Sequence, residues 1–203
     1  MIMPSSADGD AGLAVATHAL SKIYGRATAL QAIDQRVPVG AVYMLAGENG
    51  AGKSTLLRLL LNLERPTGGQ IEVTGLAADR NGARVRARVG YVPEGFGMGP
   101  SWMTVERWFA ERAVYYPAWD ADYAAALSRR LDIDVSRRIG HLSKGQARRA
   151  QIVAAMAHRP PLLLLDEPTD GLDPAARDTV LELVSDQLSQ TDCTILVSTH
   201  LVY

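Results

Sequence analysis

Apolar and polar positions along the chain change their period several times, and each change marks an element. Residues 13–46 carry short apolar stretches broken by turn formers. LAVATHAL is followed by the polar SKIYGRAT, and a later stretch ends in VPVG and VYMLA, which predicts short strands separated by turns. STLLRLLLNL, residues 54–63, has helical spacing instead and is stopped by Arg65-Pro66-Thr67-Gly68-Gly69. QIEV (70–73) and VGYVP (89–93) read as strands on either side of an arginine-rich helical turn at 80–88. From Leu142 onward the order is helix (145–158), continuous apolar strand (162–165), helix (174–188) and strand (194–197). Strands alternating with helices of this length predict an α/β fold built on a parallel sheet covered on both faces.

Residues 95–142 use a different alphabet. They hold Trp102, Trp108, Trp119, Phe96 and Phe109, together with alanines at helical spacing, which predicts an inserted helical subdomain. Its opening, Gly95-Phe96-Gly97-Met98-Gly99-Pro100, reads as a mobile hinge. The leader MIMPSSADGDAG has neither a basic n-region nor a long apolar core, so residues 1–12 read as a disordered tail rather than a targeting signal, and 13–203 as one domain. The longest apolar runs fall short of the ~20 residues that span a bilayer.

Composition narrows the function. With 203 residues, 47% of them hydrophobic, the chain can bury a sizeable core. A formal charge of -1 argues against a protein whose main task is to neutralise nucleic-acid phosphates, so no nucleic-acid partner is expected. The single cysteine, Cys193, cannot form a disulfide within the chain and fits a reducing compartment.

The chemistry concentrates in GENGAGKST, residues 47–55, which follows the apolar run Val42–Ala46. Gly47, Gly52, Lys53 and Ser54 satisfy G-x-x-x-x-G-K-[ST] between a predicted strand and a predicted helix. Glycines let the backbone wrap closely, so the amides of Asn49, Gly50, Ala51, Gly52 and Lys53 can face an anion at the positive end of a helix. Lys53 is placed to reach the β- and γ-phosphates, and Ser54 to bind Mg2+. Leu162-Leu163-Leu164-Leu165-Asp166-Glu167 is a buried strand ending in two acids, at the rim where parallel sheets bind ligands. Asp166 suits the Mg2+ shell, and Glu167 can polarise an attacking water. Each piece has a plainer reading in isolation: a flexible turn, an exposed strand end, and for Ser143 an ordinary helix cap.

LSKGQ at 142–146, LLLLDEPTDGLDP at 162–174 and STH at 198–200 give the chain, from about residue 13 onward, a pattern that resembles the ATP-binding cassette (ABC) ATPases. The resemblance implies a P-loop NTPase fold with a mainly parallel core sheet, an N-terminal antiparallel β subdomain and an inserted α-helical subdomain. It implies ATP and Mg2+ as cofactors, with Thr55 carried along in the phosphate loop. It also implies head-to-tail pairing, as a homodimer or with a related ATPase subunit, in which Ser143, Gly145 and Gln146 close over the γ-phosphate held by the partner. By the same resemblance Tyr24 stacks on adenine, His200 contacts the γ-phosphate and helps orient water, and Asp173 couples the two sites. The catalytic set is then Glu167, His200 and Lys53, and the metal set is Ser54, Glu94 and Asp166.

The implied role is an ATPase subunit on the cytoplasmic face of the cell membrane that drives a separate permease. YYPAWD at 115–120 is similar to an exporter-type bacterial subgroup. The alternatives are a soluble mechanical ATPase acting on ribosomes or DNA, or a nucleotide-binding regulator that does not hydrolyse. The chain departs from the family pattern at Glu94, where glutamine is usual, and at Lys144, where glycine is usual. It also stops at Tyr203, where the family continues, which reads as a truncation or as a sheet edge finished by something else.

Overall fold

The computed structural model describes residues 12–95 and 97–200. In chain order the elements are strands β1 (Leu13–Tyr24), β2 (Ala27–Pro38) and β3 (Val42–Ala46), helix α1 (Lys53–Leu60), strands β4 (Gly68–Val73) and β5 (Leu76–Ala77), helix α2 (Ala78–Arg88), strand β6 (Val89–Val92), helices α3 (Val105–Ala113), α4 (Ala121–Arg130) and α5 (Lys144–Met156), strand β7 (Leu162–Asp166), helix α6 (Pro174–Gln190) and strand β8 (Thr194–Thr199). β2-β1-β4-β5 form an antiparallel sheet, and β3-β8-β7-β6 a parallel one. This is the expected mainly parallel core with an antiparallel subdomain before it and a helical subdomain inserted into it.

The leucine run of β7 shows how the layers are fixed. Successive strand side chains point to opposite faces. Leu162 and Leu164 enter one core, with Val15, Val37, Leu57 and Leu60 from the antiparallel sheet and α1. Leu163 and Leu165 enter another, with Ile152, Val153 and Val180 from α5 and α6. All five residues of β7 are buried, which is why the strand is apolar without alternation. At the sheet edge β3 leaves Val42 and Met44 exposed, at 50% and 62%.

Three sequence expectations are corrected. β1 does not break at SKIY: it runs to Tyr24, and only Gly25 and Arg26 make the turn to β2. The polar residues are absorbed because bulges shift the β1–β2 register and hydroxyls find backbone partners, Thr17 Oγ1 donating to Ile33 O at 2.9 Å. Helix α1 stops at Leu60, short of 63, because Asn62 turns left-handed (φ 50°). The Leu63 and Asn62 amides then donate to Arg58 O and Leu59 O at 2.9 and 3.0 Å, a Schellman closure with asparagine in the place glycine usually takes. The arginine-rich turn is a full helix, α2, kinked at Asn81 (φ -123°, ψ 26°).

In the helical subdomain Trp108 and Phe109 are buried and Trp119 packs on Phe109 with ring centroids 6.1 Å apart, while Trp102 is exposed. The segment read as a hinge is tied at its start: Gln151 Nε2 donates to Gly95 O at 3.0 Å, and Met98 is buried. Phe96 and residues 1–11 lie outside the described residues.

Candidate nucleotide site

The phosphate loop leaves β3 beside the end of β8, where Gly47 N donates to Thr199 O at 3.3 Å. It turns through Ala51 N donating to Glu48 O at 3.1 Å and runs straight into α1. Gly50 and Gly52 both adopt φ 86°. At Gly52 the demand is double, because a Cβ there would lie 2.5 Å from Ala29 O of β2. Gly52 is also the cap of α1, so no side chain covers the helix amides, and the first turn carries no acid. A helix start of this kind favours an anion.

Asn49 to Thr55 line a cavity of about 390 Å³, closed by Ala29, Arg58, Glu94, Asp166 and Glu167. Lys53 Nζ donates to Gly47 O at 2.6 Å and Glu48 O at 3.1 Å and lies 3.9 Å from Glu167 Oε1. Its ammonium therefore hangs between the loop and the acid strand. Asp166 is 2% exposed and accepts from Ser198 Oγ, which fixes one of its oxygens. Glu167 follows at φ 49°, its amide donating to Ser198 O at 3.3 Å. That bend swings its carboxylate off the strand axis. His200 Nδ1 lies 2.9 Å from Glu167 Oε2, while Glu167 Oε1 is buried without a hydrogen-bond partner among the described residues.

Ser54, Glu94 and Asp166 supply a hydroxyl and two carboxylates around this cavity. Hard oxygen donors of this kind fit Mg2+, which keeps waters and takes few protein ligands. Among the described residues no group of three or more His, Cys, Asp or Glu is arranged to hold a metal ion.

Other predicted residues stand apart from the cavity. Ser143 caps α5, its Oγ accepting from Gln146 N at 3.2 Å while Gln146 Oε1 accepts from Ser143 N at 2.9 Å. Gly145 packs against Gly171, where a Cβ would meet the carbonyl at 2.9 Å. Asp173 caps α6 through Ala176 N at 2.9 Å. Tyr24, 43% exposed, gives its phenol to Glu64.

Sequence reasoning missed the supports. Arg148 of α5 is fully buried and donates to Pro93 O and, at 2.6 Å, to Glu94 O, clamping the loop that carries Glu94. Burial lowers its pKa, opposed by Asp170, Asp166 and Glu94. Tyr91 beside it is raised to about 12 by burial and by Asp166. Ser198 holds Asp166, and Arg58 closes the cavity. An arginine among the small apolar residues of the helix predicted at 145–158 was the available signal for Arg148.

The chain is similar to known proteins in sequence and in fold. The family described as ABC transporter matches residues 30–170. The chain is 34% identical over 186 residues to the Nod factor export ATP-binding protein I of Rhizobium etli, covering 89% of this chain and 58% of that one. It is 31% identical over 193 residues to the bacitracin transport ATP-binding protein BcrA of Bacillus licheniformis, covering 93% and 62%. The chain thus spans about three fifths of the length of these curated relatives. A solved ATP-binding subunit of an ABC transporter superposes with a TM-score of 0.83 at 30% identity, over 94% of this chain and 80% of that one.

Proposed function

The chain belongs to the ABC transporter family, and from that premise we propose that it is the ATP-binding and ATP-hydrolysing subunit of a transporter whose membrane-spanning part is a separate chain. One observation carries the reading: Lys53, Ser54, Asp166 and Glu167 converge on a single cavity at the carboxyl ends of parallel strands. The loop amides and Lys53 bind the triphosphate and spread its charge. Ser54, Asp166 and Glu94 would hold Mg2+, which supplies charge neutralisation at the phosphates. The open acceptor of Glu167, Oε1, takes a proton from or polarises the attacking water, and His200 holds the other oxygen in place. Glu94 adds a negative charge to the cavity that glutamine would not, and comparing turnover with Glu94→Gln reads whether that charge slows or retunes hydrolysis.

Ser143 and Gln146 satisfy each other at the start of α5, which leaves the Ser143 hydroxyl hydrogen and the helix N-terminus facing outward toward a phosphate on a second cassette. Pairing head to tail, with a copy or a related subunit, is the arrangement in which Asp173, at the cap of α6, joins the two sites. Among the described residues no helix is long and apolar enough to cross a membrane. Coupling therefore uses a surface. A groove of about 190 Å³ between core and helical subdomain, walled by Leu61, Tyr91 and Trp108 together with the polar Arg86, Arg112 and Gln151, can take one or two side chains of a permease segment at the inner membrane face. The name of one relative, a Nod factor export protein, supports export as the direction.

Glu167→Gln is expected to bind MgATP without turning it over and to double in mass by light scattering, returning to monomer when nucleotide is removed. Monomers at saturating MgATP would defeat the paired mechanism. Co-purification of the native protein with a polytopic membrane protein supports the transporter, whereas recovery with ribosomes or DNA supports the soluble machine.

A further inference from the structure

Tyr24 belongs to a cluster of four side chains that phosphate chemistry does not explain. Its phenol donates to the Glu64 carboxylate. The same carboxylate meets Arg58 Nε at 2.8 Å and Lys22 Nζ at 3.3 Å. Lys22 Nζ also donates to Arg65 O at 2.8 Å and stands 4.7 Å from the centroid of the Tyr24 ring. One ring face is thus taken by an ammonium. The hydrogen bond from Tyr24, with that from Lys22 and the charge of Arg58, outweighs burial and holds the Glu64 carboxyl below the usual carboxylate range, so it is an anion at neutral pH.

Each anchor of the cluster leads back to the nucleotide cavity. Arg58 lies on α1, the helix that starts at the phosphate loop, and itself lines the cavity. Glu64 follows directly on the Schellman closure at Asn62 and Leu63, which sets where the chain leaves that helix. Tyr24 ends β1, and beyond the Gly25–Arg26 turn β2 carries Ala29, which lines the cavity and abuts Gly52. Strand end and helix end are tied together at Glu64, 40 residues from Tyr24 in sequence.

We propose that Glu64 is a positioning residue for recognition of the nucleotide base: it anchors the Tyr24 ring in one orientation, with Lys22 on one face, so that a single face is presented to adenine. The proposal rests on the reading of Tyr24 as the base platform. An aromatic side chain fixed before binding has no ordering cost left to meet when the base arrives, an advantage of roughly three- to tenfold in affinity per immobilised side chain. The phosphates gain nothing from it. Glu64 should therefore matter for ATP and not for inorganic triphosphate.

Calorimetry on the whole chain with Mg2+ separates the two ligands. Glu64→Leu is expected to weaken ATP binding about three- to tenfold and to leave inorganic triphosphate binding unchanged. Glu64→Gln, which keeps an acceptor for the phenol, is expected to restore most of the ATP affinity. Tyr24→Phe keeps the ring and loses the bond; it should reproduce Glu64→Leu, and the double variant should add nothing. Tyr24→Phe also tests the bond from the exposed side if Glu64→Leu does not fold. Equal loss for both ligands would place the effect of Glu64 in Arg58 and the phosphate loop and overturn the proposal, as would no loss at all. Tyr24→Ala distinguishes the underlying reading: unchanged ATP affinity there removes the base platform itself, while a loss in Tyr24→Ala beside a normal Glu64→Leu removes only the anchoring.

Discussion

Gly50 and Gly52 share the same backbone angle, φ 86°, and differ in what surrounds them. Replacing either by alanine imposes a left-handed conformation on a residue with a Cβ, at roughly 1–2 kcal/mol. At Gly50 the cost ends there, because nothing lies within 4 Å of the new methyl. At Gly52 the methyl would sit 2.5 Å from Ala29 O and 2.8 Å from Leu30 Cδ2. Ala29 O is backbone of β2, and Leu30 is a core residue at 5% exposure, so neither can yield cheaply. Overpacking of this kind adds about 1–3 kcal/mol, which brings Gly52→Ala to roughly 2–5 kcal/mol against 1–2 for Gly50→Ala. Urea unfolding of both variants, with ATP titration of the folded fraction, reads the difference. Gly52→Ala should shift the unfolding midpoint further and lose nucleotide affinity as the loop moves off β2. Equal effects at the two positions would refute the claim that close approach to β2, rather than the left-handed angle, makes Gly52 necessary.

Two further outcomes follow from buried groups. His158 is 3% exposed, stacked on Tyr116 with centroids 4.0 Å apart, and burial pushes its pKa from 6.5 down to about 4. The folded value lies below the unfolded one, so its contribution to stability is complete above pH 6.5 and is lost as pH falls toward 4. That depression is worth roughly 3 kcal/mol; urea midpoints compared at pH 7.5 and 4.5 should fall less in His158→Phe than in the parent, and parallel curves would contradict the assignment. Arg148→Met keeps the length of the side chain but deserts the carbonyls of Pro93 and Glu94, at a cost of about 2–5 kcal/mol. Limited proteolysis should then cut near Gly95 while ATP still protects the phosphate loop, and an unchanged digestion pattern would show that α5 does not hold the Glu94 loop.

What the sequence made readable was whatever uses residue type directly. A loop that must approach phosphates needs glycines at fixed places, and a strand buried on both faces must be apolar throughout, so 47–55 and 162–167 announced themselves. What it concealed depends on distant partners. SKIY reads as a break because Lys22 and Tyr24 are polar, yet both are satisfied by Glu64, which the fold brings from the end of α1. The stop at Asn62 was hidden because an asparagine in a leucine run looks like a solvent-facing position until its φ is known. Arg148 was missed for the opposite reason: helical spacing says which face is buried, but a buried arginine is intelligible only once the carbonyls that receive it are in view.

The geometry of the candidate site is thereby coupled to the packing of the core. Residues 46, 166 and 198–199 are remote in sequence and meet because Ala46 pairs with Thr199 and Asp166 with Ser198 in the parallel sheet. The pairing register is set by the leucines beneath, Leu162 and Leu164 facing one core and Leu163 and Leu165 the other. A slip of one residue in β7 would exchange those cores, turn Asp166 away from Ser198 Oγ, and carry Glu167 off His200. Four leucines with no polar atom in their side chains thus decide which way two carboxylates point.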